Sequence, residues 1–237
     1  MELTDLIMES LIYPTRNVKA LLVYIFLSII LGIIAVATGV SAAFIGKSTF
    51  DAGIILSIVG LIIIIILMLL INGYSLDIIK IAIRHGDDAP EIDFARQITN
   101  GAKYFVTSIV YMIIPIIIIA ILSMIFARWI VLVLAVILGI IFTFALAMAE
   151  CRLAQTEELS YALDIKGALD DIVAIGPTKV VISIVAILLV YLAISIIATG
   201  IFSLLGSEML TSIVSFIVGV YLIFYSNRAF GLLYSER

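Results

Sequence analysis

The sequence predicts an all-α, polytopic membrane protein with six transmembrane helices, and three observations carry that prediction. Of 237 residues, 65% are hydrophobic and 13% charged, against roughly 45–50% and 25% in a soluble domain. The mean hydropathy is +1.35, more apolar material than a core of this size can hold. The apolar residues also fall into six stretches separated by short polar connections. A water-soluble globule and a disordered chain are excluded on composition and charge. A disulfide scaffold is excluded because Cys151 is the only cysteine.

Crossing about 30 Å of hydrocarbon takes roughly 20 apolar residues in a helix. The expected spans run near Leu21–Ile45, Ile54–Ile71, Phe105–Phe126, Ile130–Met148, Val180–Leu205 and Leu210–Tyr225. The last is shortest and spans if Ser212, Ser215 and Tyr221 turn toward neighbouring helices. The Ile and Val runs exceed the 4–8 residues of a strand, and a lone span in lipid must satisfy its own backbone, so helix is expected throughout.

Six spans place the N-terminus, the second and fourth connections and the C-terminus on one side. All Lys and Arg residues except Lys47 and Arg128 fall there, so the positive-inside rule makes it the cytoplasmic side. Asp51 and Glu208 are the only acids outside; they cancel those two cations and leave the net charge of −4 on the cytoplasmic face. Such a face repels nucleic acid and anionic lipid. The outer connections, Gly46–Gly53, Ala127–Trp129 and Gly206–Glu208, are too short for a domain.

The whole chain, 1–237, reads as a single membrane domain with an internal repeat. Before spans one, three and five stands an amphipathic stretch, then a helix-breaking residue, then a lysine two positions on. Leu3, Leu6, Ile7 and Leu11 oppose Asp5 and Glu9 ahead of Asn17 and Lys19. Ile92, Phe94 and Ile98 lie among Glu91, Asp93 and Arg96 ahead of Gly101 and Lys103, fitting helical spacing least well. Leu163, Leu169, Ile172 and Val173 lie among Asp164, Asp170 and Asp171 ahead of Pro177 and Lys179. Tyr74-Ser75 recurs as Tyr225-Ser226 where spans two and six end. Three parallel units result, about 1–84, 85–157 and 158–237, each an interfacial helix plus a helical hairpin, arranged about a pseudo-threefold axis. Apolar faces beside charged faces suit helices lying at headgroup level. Lys19, Lys103 and Lys179 read as interfacial anchors.

Asn72-Gly73-Tyr74, Ile78-Ile79-Lys80, the acidic turn Gly86–Asp93, Asn100-Gly101-Ala102-Lys103-Tyr104, Tyr161-Ala162-Leu163, Ile175-Gly176 and Arg228–Tyr234 together resemble an archaeal family, domain of unknown function 4013, common in methanogens. The resemblance covers nearly the whole chain. It departs at Asp77, where the family often carries Arg, and at Pro177, where it carries an aromatic. The resemblance implies a multi-pass plasma-membrane protein of an archaeon and supplies no activity.

The middles of the spans carry no ionisable group, which speaks against a proton or sodium relay. His85, the single histidine, cannot build a zinc site, and no G-x-S-x-G elbow or phosphate-binding loop is present. No catalytic residue, metal or cofactor is therefore expected. The acidic turn from Asp87 to Asp93 suits a helix cap better than a cation site. The richest polar cluster, at the cytoplasmic ends of the even spans, is Asn72, Tyr74, Asp77, Glu150, Arg152, Tyr225, Asn227 and Arg228, with Glu150 and Arg228 the expected cross-helix pair. Pro115 removes a backbone donor in mid-span; Tyr111, Tyr191 and Ser195 are the side chains expected to line a cavity beside it. Gly32, Gly39, Gly60, Gly139 and Gly219 are expected at close helix contacts.

These features favour a non-catalytic membrane scaffold whose partners are the lipid bilayer and a cytoplasmic or membrane protein, not nucleic acid. The alternative is a permease or channel-like protein for an uncharged or lipid-like solute. A lipid-headgroup enzyme at the level of Glu150 and Arg228 is third.

Overall fold

The structure, a computed structural model, describes residues 1–43, 50–204 and 206–237. The described residues form nine helices and no strand: α1 (Leu3–Arg16), α2 (Val18–Ala43), α3 (Phe50–Ile83), α4 (Phe94–Ser123), α5 (Arg128–Thr156), α6 (Leu159–Ala162), α7 (Ile165–Ile175), α8 (Pro177–Ser203) and α9 (Glu208–Tyr234). Six are long and apolar enough to cross a membrane: α2, α3, α4, α5, α8 and α9. Span one's end at Ile45, span five's end at Leu205 and residues 46–49 of the first outer connection lie outside the described residues.

Local chemistry sets the helix ends. The Asp93 carboxylate accepts from the Arg96 amide at 3.1 Å and starts α4. Asp164 accepts from Gly167 N at 3.0 Å to start α7, and Ser207 from Leu210 N at 3.3 Å to start α9. Gly176, at φ +105°, separates α7 from α8, whose first residue is Pro177.

Three helices run past the apolar stretches that define them. α3 continues beyond Ile71 to Ile83, α5 beyond Met148 to Thr156 and α9 beyond Tyr225 to Tyr234. These three inner helices touch one another, and α3 also packs on α2 and α4. α1 docks on α9 and α2, and α7 on α5 and α8. The second amphipathic stretch differs from expectation. It is no separate helix, because α4 runs unbroken from Phe94 through Gly101 and Lys103 to Ser123.

The apolar core occupies one end of the bundle only. Its buried residues stop at Tyr24 on α2 and at Ile187 on α8, and begin at Leu70 on α3, Ala145 on α5 and Val220 on α9. No more than 22% of any span's apolar window is buried inside the protein. Toward the opposite end Ile33, Ile55, Ile116, Leu132, Leu189 and Ile196 project outward. In lipid there is no hydrophobic drive to bring apolar helices together, so contact there depends on close fit. Where the helices extend into water, the drive returns and the core forms.

Of the glycines expected at close contacts only Gly60 makes one; the others that do are Gly73, Gly101 and Gly231. A Cβ on Gly101 would stand 1.8 Å from Leu69 O, and one on Gly73 would stand 1.9 Å from Gln97 O, so α3 and α4 cross backbone to backbone. Gly231 seats α9 against Ala82 of α3, and Gly60 meets Thr38 of α2. Gly32, Gly39, Gly139 and Gly219 face open space instead, because hydrophobicity alone does not mark which face of a span meets a neighbour. Gly101→Val should therefore lower detergent stability by about 1–3 kcal/mol or more. Gly139→Ala should leave it unchanged, both read as thermal unfolding of the purified protein.

Candidate functional site, an axial polar cavity ringed by ion pairs

At the ion-paired end three inner helices present the same short register: Tyr74-Ser75-Leu76-Asp77 on α3, Ala149-Glu150-Cys151-Arg152 on α5 and Tyr225-Ser226-Asn227-Arg228 on α9. Residues two apart on a helix point to nearly opposite sides. Asp77, Arg152 and Arg228 face outward to an ion pair, while Ser75, Glu150 and Ser226 line one cavity between the helices.

Arg228 is fully buried. Its guanidinium bonds the Glu9 carboxylate of α1, the Gly86 carbonyl, and Asp87 at 3.2 Å, and it lies 4.7 Å from the centre of the Tyr13 ring. The turn between α3 and α4 that supplies Gly86 and Asp87 is itself pinned. The Tyr13 hydroxyl donates to Asp88 O at 3.1 Å, and Asn17 Nδ2 donates to Asp87 O at 3.0 Å. Burial pushes the Tyr13 hydroxyl up to about 12, against the pull of Arg228, so it stays a donor. The acidic turn thus serves α1, α4 and α9 as clasp and cap.

Arg152 repeats the plan with α7. It meets Asp171 at 3.0 Å and Asp164 at 3.4 Å, and its Nε donates to Tyr161 O at 2.9 Å. Arg237 reaches the other Asp171 oxygen at 2.9 Å. The chain ends meet nearby, where Glu236 pairs with the N-terminal ammonium at 2.9 Å and with Lys179. Burial alone would raise the Glu236 carboxyl; the two ammoniums outweigh it and hold it below its ordinary value.

In the third clasp the charges are reversed. Asp77 is on the inner helix and Arg96 of α4 grips it with two bonds, 2.5 and 3.0 Å, while Gln97 Nε2 adds a third at 2.8 Å. Glu157, a non-glycine residue at φ +57°, ends α5 beside them. Its carboxylate pairs with Lys80 and with Arg96 at 3.4 Å, and its carbonyl accepts from Lys103 at 2.7 Å. The Lys80 ammonium chiefly holds that carboxyl below its usual range.

Inside the ring lies a cavity of about 230 Å³ lined by Asn72, Ser75, Tyr104, Glu150, Ser226 and Asn227, with Tyr24, Leu76, Ile79 and Ile223 completing its walls. Tyr104 of α4 and Glu150 of α5 both line this cavity. Tyr24 and Ser75 hydroxyls meet at 3.3 Å. Asn72 donates to Met68 O at 2.9 Å, and the buried Asn227 amide nitrogen has no partner among the described residues.

The expected polar cluster is therefore divided. Asn72, Glu150 and Asn227 share the cavity, Asp77, Arg152 and Arg228 hold separate clasps, and Tyr74 and Tyr225 are core residues. The expected Glu150–Arg228 pair does not form, because Arg228 turns the other way to Glu9 and Asp87. Sequence reasoning set Glu9 opposite the apolar side of its stretch and named Asp171 without a partner, yet both answer buried or nearly buried arginines. Sequence reasoning left Ser75 and Ser226 out of the cluster; the register shared by Tyr74-Ser75 and Tyr225-Ser226, had it been extended to Ala149-Glu150, is the signal that would have grouped them with Glu150.

The mid-span set is placed as follows. Tyr111 is buried and donates to Ala162 O at 3.0 Å, and Pro115 is buried within the continuous α4. Tyr191 and Ser195 are half-buried on α8, which packs on α9 and α7 rather than among the main neighbours of α4. Of the lysines, Lys103 and Lys179 are tied to Glu157 and Glu236, and Lys19 is exposed.

The reversed third clasp makes a clean test. Asp77→Arg alone leaves two guanidiniums facing each other and should cost about 3 kcal/mol or more. Adding Arg96→Asp restores the polarity of the other two clasps and should recover most of the loss, read as unfolding temperature in detergent.

No curated protein and no solved structure matches the chain. The family described as "Protein of unknown function (DUF4013)" matches residues 56–206, more than half of the chain and the stretch that holds α4 to α8 whole. The chain belongs to that family.

Proposed function

We propose that this protein is a non-catalytic scaffold of an archaeal plasma membrane, built as three repeated units, with its ion-paired end and both termini in the cytoplasm. The observation that carries the reading is the contrast between the two ends. One is a packed platform held by three clasps; the other is bare apolar helix with its sides open to lipid. The shared register of α3, α5 and α9, and the docking of α1 and α7 on the preceding unit's inner helix, support the repeat. The distribution of Lys and Arg supports the orientation.

The platform offers a partner protein a mixed-charge concavity of about 680 Å³, bordered by Asp77, Lys80, Arg84, Asp88, Glu91 and Arg96. Arg84, Asp88 and Glu91 are exposed and spare for a partner, whereas the rest are engaged in the third clasp. Opposite charges at such a rim steer association and fix register. A single cysteine at Arg84 in a Cys151→Ser background tests both parts. In intact cells a membrane-impermeant thiol reagent should not reach it, and a permeant bifunctional crosslinker should give a discrete larger species. Asp88→Lys with Glu91→Lys should abolish that species. Labelling from outside would refute the orientation; a crosslink absent, or indifferent to the charge reversal, would refute the scaffold.

A further inference from the structure

We propose that the axial cavity is a binding site for one monovalent metal cation, an alkali ion held by Glu150. This goes beyond the scaffold reading and does not rest on it. The inference begins with charge. Glu150 stands between three helices, and among the described residues no Lys, Arg or His nitrogen lies within 4.0 Å of its carboxylate, although most other acids at this end have such a partner. Arg228, the partner expected from the sequence, is committed elsewhere to three acceptors. A half-buried carboxylate without a cation is costly to ionise, and wherever it is ionised a counter-ion entering from solution offsets that cost.

The donors around it are oxygens of the hard kind. The hydroxyls of Ser75, Ser226 and Tyr104 and the amide oxygens of Asn72 and Asn227 share the cavity with the carboxylate. Asn72 already uses its nitrogen on Met68 O, which leaves its oxygen for the cavity. Asn227 has a buried nitrogen with no partner; turning its amide about puts an oxygen there, for which a bound cation would be the partner. One negative charge among neutral oxygens balances one monovalent ion. Calcium and magnesium sites draw on several carboxylates or on substrate phosphate, and the described residues hold no group of three His, Cys, Asp or Glu. A volume of about 230 Å³ admits the ion with several of its waters. Because Ser75, Glu150 and Ser226 come one from each inner helix, the ion ties the three hairpins together on their common axis.

The experiment follows unfolding of the full-length protein in detergent, using the buried Cys151 thiol, which reacts with a fluorescent maleimide only when the core opens. NaCl, KCl or LiCl replaces N-methylglucamine chloride at constant ionic strength and at mildly alkaline pH, where a free carboxyl is ionised. At least one alkali ion should raise the unfolding temperature, by about 3–6 °C for each tenfold increase above its Kd. Glu150→Gln should abolish the response. Asn227→Leu removes the unsatisfied amide and fills the space. It should fold at least as stably without ion yet shift the midpoint of the ion response at least tenfold, and it decides the matter should Glu150→Gln fail to fold. Equal unfolding temperatures in all chlorides, a response that follows pH but not the cation, or an undiminished response in Asn227→Leu would overturn the proposal.

Discussion

The structure depends on a buried arginine. Arg228, fully enclosed, needs acceptors for its charge, and the chain supplies those of its two terminal nitrogens from segments far apart in sequence: Glu9 near its start and Gly86 and Asp87 between α3 and α4. An unpaired charge at that depth would cost several kcal/mol, so α1, the α3–α4 turn and the last helix must come together or none of them can settle. The Tyr13 ring, stacked 4.7 Å from the guanidinium, closes the remaining face. Arg152 and, with the charges reversed, the buried Asp77 place a similar demand on the neighbouring segments.

From this constraint the uneven packing follows. A helix in hydrocarbon satisfies its own backbone and gains little by touching another apolar helix. The contacts that do form in the spans rely on shape, as where Gly73 and Gly101 let α3 and α4 meet. Past the apolar stretches the same helices enter water, and there burial of Leu76, Ile79, Met148 and Leu232 is favourable in the ordinary way. The ion-paired end is thus the end that holds the bundle together.

The spans were legible because length and hydropathy answer directly to bilayer thickness. Capping by Asp93 and the separation of α7 from α8 at Gly176 and Pro177 were legible for equally local reasons. What escaped was everything decided by helix rotation. By spacing Glu9 sits opposite the apolar side of its stretch and nothing gives Asp171 a partner, and only the arginines they meet across the bundle reveal their role. Glu150 and Arg228 are opposite charges at one depth, and pairing them was natural, but they stand at different steps of a shared register and point apart. Gly101 preceded a lysine as Asn17 did, which resembled a helix break. Its tight approach to Leu69 O shows that a helix continued through it to let another backbone pass.

The measurement that bears most directly on this account is a double-mutant cycle on Glu9→Gln and Arg228→Met, with stability read by equilibrium unfolding in detergent. The pair joins residues more than two hundred positions apart, so its coupling reports the closure of the fold. A coupling of about 1.5 kcal/mol or more, with the double variant more stable than Glu9→Gln alone, is the result this structure predicts. Additive effects, with coupling below about 0.5 kcal/mol, would show that the buried arginine does not organise the bundle.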